Sequence, residues 1–122
     1  MLGRALAVVL VLIAVGCGAP SKVPEQADDL ASISAEGALL AGDVADGDST
    51  GPFARAHARA LREKTTTLRG AISDAELRRV AEDVMANLSR LAASPSEREA
   101  ARIERRLGHA ARRAGEIGRR AA

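Results

Sequence analysis

Apolar residues recur at spacings of three and four along most of this chain, in runs separated by short stretches of glycine, proline, serine and aspartate. That spacing marks one face of an α-helix, and four such runs follow residue 24. The first, from about Glu25 to Val44, sets Leu30, Ile33, Gly37, Leu40 and Val44 on one seam. It stops at Asp46-Gly47-Asp48-Ser49-Thr50-Gly51, after which Pro52 suits the first turn of a second helix, where a missing N–H costs nothing. The second helix carries Phe53, His57, Leu61, Thr65 and Leu68 on one face and ends at Gly70. Its Thr65-Thr66-Thr67 run is a weak point, because branching at Cβ costs rotamer freedom in a helix.

The third helix has the best specified start. Ser73-Asp74-Ala75-Glu76 reads as a capping box, with the Ser73 hydroxyl accepting from the Glu76 amide, the Glu76 carboxylate reaching back, and Ile72 and Leu77 as a hydrophobic staple. Its stripe is Leu77, Val80, Val84, Leu88 and Leu91. The fourth helix opens with a second box, Ser94-Pro95-Ser96-Glu97, and continues through Ala100, Ile103, Leu107, Ala110, Ala114, Ile117 and Ala121, a heptad series small at half its positions. Four amphipathic helices joined by short loops predict an all-α, up-down-up-down four-helix bundle over residues 25–122. The rival arrangement is a homodimer, in which two helical hairpins complete their cores only by pairing.

Before the bundle, Arg4 precedes the uninterrupted apolar run Ala5 to Val15. As a helix this run of 11 residues would span roughly 17 Å, short of the ~30 Å hydrocarbon core of a bilayer. A positive residue, a short apolar run and small residues before a cut are the pattern of a cleaved export signal. Ala14-Val15-Gly16-Cys17 further resembles the lipobox of bacterial lipoproteins, with Ala14 where a bulky aliphatic is usual. The resemblance is confined to residues 1–17. It implies a signal peptide over 1–16, lipidation of Cys17, with palmitate as one of its acyl chains, and a location on the bacterial cell membrane or outer membrane. Gly18 to Pro24 lacks periodicity, so residues 17–24 read as a lipidated tether. The alternative is an ordinary signal cut near Ala19, which discards Cys17 and releases a soluble protein.

Composition supports the helical reading: aromatic residues are 1% of the chain, Phe53 alone, so the side chains that strands favour are scarce. Cys17 is the single cysteine, which rules out an internal disulfide and a multi-thiolate metal site. The charges are segregated. Residues 22–50 hold seven acids and one base, residues 51–72 one acid and five bases, and residues 95–122 four acids and eight bases. The excess of arginine over lysine, 16 to 2, is also what a GC-rich coding sequence produces, so alone it identifies no ligand. Within the fourth helix the pairs Arg105-Arg106, Arg112-Arg113 and Arg119-Arg120 recur every seven residues. Heptad numbering then pairs Asp29 with Arg120, Glu36 with Arg113 and Asp43 with Arg106 between antiparallel first and fourth helices. It leaves Arg98, Arg105, Arg112 and Arg119 as a free row, the candidate anion-binding residues, for phospholipid headgroups or envelope polyanions. Nucleic acid is disfavoured as a partner, because an export signal removes the protein from the cytoplasm.

Catalytic chemistry has little to work with. In the expected bundle His57 and His109 differ in height by roughly 14 Å, too far to share an ion, and neither has the glutamate three residues earlier that a ferritin-like carboxylate site requires. The adjacent carboxylates Asp28-Asp29 and Glu82-Asp83 point about 100° apart on a helix. Ser73 and Ser94 are assigned to caps, and there is neither a glycine-rich phosphate loop nor an HExxH motif. The expectation is a protein that is not an enzyme, with no cofactor and no metal: a lipid-anchored envelope protein with a structural or protein-interaction domain. The alternative is an envelope module that recognises an anionic ligand through its arginine-rich C-terminal helix.

Overall fold

In the computed structural model, which describes residues 21–122, the chain forms four helices: α1 Val23–Ala45, α2 Gly51–Ala71, α3 Ala75–Ala92 and α4 Glu97–Ala121. α1 begins at Val23, two residues before the expected start near Glu25. Proline is at home in a first turn, and the Ser21 hydroxyl accepts from the Val23 amide at 3.2 Å. Gly47 terminates α1 with φ +74°, a conformation glycine adopts without strain. The Asp48 amide donates to the Asp43 carbonyl at 2.8 Å and the Gly47 amide to the Val44 carbonyl at 3.2 Å, the paired bonds of a Schellman motif.

Both expected capping boxes are corrected. Asp74, not Ser73, caps α3, its Oδ2 accepting from the Leu77 amide at 2.8 Å. Aspartate caps as well as serine does, and its charge adds a favourable interaction with the positive end of the helix dipole. Glu76 does not turn back toward the cap. Ser96, not Ser94, caps α4, accepting from the Glu99 amide at 3.1 Å. Pro95 explains the shift: it excludes Ser94 from the right-handed helical region, and Ser94 takes φ +58°. The Ser94 hydroxyl instead accepts from Arg55, tying the start of α2 to the α3–α4 loop.

Every residue of the expected α3 stripe is buried, and so is the α4 stripe from Ala100 to Ile117, with Ala121 exposed. On α1, Leu30, Gly37 and Leu40 are buried while Ile33 and Val44 are half-buried, and the face widens to include Ala27, Ser34, Ala41 and Gly42. The α2 seam is corrected at its start: Ala54 and Ala58 lie inside with Leu61 and Thr65, and Phe53 is 59% exposed. Ser34 and Thr65 are tolerated in the core because their hydroxyls donate to the carbonyls of Leu30 and Leu61, 2.7 and 2.8 Å away.

The helices pack in the expected up-down-up-down order, with α1 closing on α4 along most of its length and α2 and α4 at opposite corners. Glycine makes the α1–α4 approach possible. A Cβ on Gly37 would come within 3.1 Å of both Leu107 and Leu88, one on Gly118 within 3.0 Å of Ala27, and one on Gly42 would meet the Glu104 carboxylate. The leucines of α1, α2, α3 and α4 thus meet in one core within a single chain. Among the described residues no helix is long and apolar enough to cross a membrane.

Candidate functional site

The register of α1 on α4 decides where the arginines point. Gly37 opposes Leu107, Gly42 opposes Glu104 and Ala27 opposes Gly118, about one helical turn away from the register that would align three acid–arginine pairs. The face of α4 turned to α1 is the one carrying Glu104, Gly115 and Gly118, where small side chains let the backbones approach. Arg106 and Arg113 consequently face α3. The three expected pairs are therefore absent. Glu36 meets His57 on α2, with 3.0 Å between Oε1 and Nε2, while Asp29, Asp43 and Arg106 belong to no ion pair among the described residues.

Arg120 binds both carboxylate oxygens of Glu76 on α3, at 3.0 and 2.9 Å, and Arg113 lies 3.7 Å from the same carboxylate. Glu76 thus gathers two of the arginines, which explains why it leaves the α3 cap. On the other side of α3, Arg69 pairs with Glu82 at 2.8 Å.

Further along, α3 and α4 enclose a groove of about 580 Å³. Its walls carry Arg90 from α3 and Arg102, Arg105, Arg106 and Arg113 from α4, with His109 beside them, against the single carboxylate of Asp83. Val80, Ala86 and Ala110 form apolar ground between the charges. Asn87, 8% exposed, is held by its Nδ2, which donates to the Asp83 carbonyl at 2.8 Å, and its Oδ1 is buried without a partner. Of the expected row, Arg105 alone lies in this groove. Arg119 lines a separate shallow groove beside Pro24 and Asp28, and Arg98 and Arg112 are exposed elsewhere on α4. Arg90 was missed because the row was drawn on one helix, whereas a groove takes side chains from two; Arg102 lay outside the seven-residue repeat, and Arg106 and Arg113 were assigned to Asp43 and Glu36.

The opposite side of the bundle is different in kind. There α1 and α2 flank a groove lined by Ile33, Ala60 and Leu68 together with Asp29, Glu36, Glu63 and Lys64. Phe53 stands edge-on to His57, ring centroids 5.6 Å apart, and Leu39, one turn from Glu36, is 74% exposed. His109 is exposed on α4 and His57 half-buried on α2. Among the described residues no three histidine, cysteine, aspartate or glutamate side chains gather where they could hold a metal ion. Cys17 and the signal-like segment lie outside the described residues. In comparison with known proteins, no family model, no curated protein and no solved structure matches the chain.

Proposed function

We propose that the chain is an exported protein, anchored to a bacterial envelope membrane by lipid on Cys17, whose four-helix bundle serves as a non-catalytic interaction module. The observation that carries this reading is the Ala5–Val15 run ending at Gly16-Cys17, with only five residues between Cys17 and α1. An apolar run too short to span, with a thiol at its end, has a clear use if that thiol becomes the anchor. Leu39 and Phe53, the two large apolar side chains left most exposed among the described residues, support a protein-contacting face on the α1–α2 side. Replacing Cys17 by alanine should move the protein from the membrane fraction to the soluble fraction. Labelled palmitate should enter the wild-type protein and not the variant; failure of the wild type to incorporate it would remove the anchor from the proposal.

A second reading is favoured by the arginines of the α3–α4 groove: the bundle recognises an anionic envelope component through α4.

A further inference from the structure

Resting on that second reading, we infer that the α3–α4 groove is a binding site for a polyol phosphodiester carrying at least two phosphates. The cations converge from two helices. Arg102, Arg105 and Arg106 sit near one end beside Arg90, and Arg113, whose guanidinium also lies 3.7 Å from Glu76 and would be shared between that carboxylate and a ligand, lies toward the other, with His109 between. Arg90, Arg102, Arg105 and Arg106 have no acidic partner among the described residues, and Asp83 is the one carboxylate in the walls. Like charges held in a concave, partly apolar cleft focus a positive potential that an anion relieves. Guanidinium groups offer paired N–H donors that match the oxygens of a phosphate, and their weak hydration makes the exchange of water for phosphate favourable.

Length then selects among phosphates. Arg102 and Arg113 are eleven residues apart on one helix, roughly 16 Å, which is more than one phosphate group fills. The apolar ground of Val80 and Ala110 suits the carbon linker of a diester chain better than it suits a continuous inorganic polyanion. Two phosphates bridged by a glycerol-like unit satisfy both ends and the middle. That chemistry occurs in lipid headgroups and in free polyol phosphate chains alike.

The test uses the full chain in detergent and a fluorescent soluble oligo(glycerol phosphate) of three units as probe. Saturable binding is expected, weakening with salt as counterion release requires. Arg102→Gln with Arg106→Gln should weaken it about tenfold or more, and Arg90→Gln, on the other helix, should weaken it measurably alone. Arg98→Gln with Arg112→Gln removes the same charge from outside the groove and should change affinity less than about threefold. All these side chains are exposed or rim residues, and unchanged helical circular dichroism confirms that each variant folds. Equal losses from the two double variants, with Arg90→Gln silent, would overturn the groove while leaving general anion recognition by α4 intact. No saturable binding by the wild type would overturn both. Competition by short-chain diphosphatidylglycerol, two phosphates joined by one glycerol, against free oligomer tells a headgroup source from a soluble one, and inorganic polyphosphate competing as well as either would overturn the polyol assignment.

Discussion

An anion just before the first turn of a helix acts twice, once as hydrogen-bond acceptor and once as a charge facing the helix dipole, and Asp74 is so placed at α3. Its acceptance from the Leu77 amide satisfies a donor that would otherwise be orphaned. Asp74→Ala should therefore cost about 1 kcal/mol in urea melts, whereas Ser73→Ala, which removes an exposed hydroxyl with no bond to the helix, should change stability by less than about 0.5 kcal/mol. The reverse order would return the cap to Ser73. The Oδ1 of Asn87 has no protein partner among the described residues, and Asn87 lies under the arginine groove, where the amide is held through its Nδ2 alone.

Charge and packing competed to set how α1 meets α4, and packing won. Three exposed ion pairs at about 0.2 to 1 kcal/mol each cannot outweigh the close fit of Gly37 under Leu107 and Leu88 in a densely filled core. A double-mutant cycle between Glu36 and Arg113 should accordingly show coupling near zero, while one between Glu76 and Arg120 should show about 0.2 to 1 kcal/mol, lost in high salt. Coupling at the first pair would restore the discarded register. The four helices, their order and the stripes of α3 and α4 were legible in the sequence because large aliphatic residues there leave one face no alternative. The rotation of α4 was not. With alanine and glycine on more than one of its faces, pattern alone does not say which face a neighbour will approach. Phe53 misled for a related reason: small Ala54 and Ala58 let α2 lie close to its neighbours, and the aromatic ring is left outside. The candidate groove was half legible, since its α4 wall lies in a visible arginine repeat while Arg90 and Asn87 join it only through the fold.

At the scale of the molecule, one chain fills its own core. The buried leucines of all four helices lie in a single cluster, so unfolding should be one cooperative transition. Its midpoint should not move with protein concentration, which separates this arrangement from two hairpins that depend on a partner copy. A midpoint rising steadily with concentration would favour the paired hairpins.

The even number of helices also sorts the bundle into two unlike poles. Gln26 donates to the Ala71 carbonyl, Ala27 touches the place of Gly118, and Arg120 reaches Glu76, so the start of α1 and the end of α4 share one pole. The Asp46–Thr50 turn and the Ser94 loop, joined by Arg55, form the other. The 23 residues of α1 separate the poles by about 35 Å. A tag fused after Ala122 therefore sits beside the start of α1. An epitope inserted in the Asp46–Thr50 turn is carried to the farthest point the fold can reach, with Asp46 and Asp48 the charges that a visitor from that direction meets first.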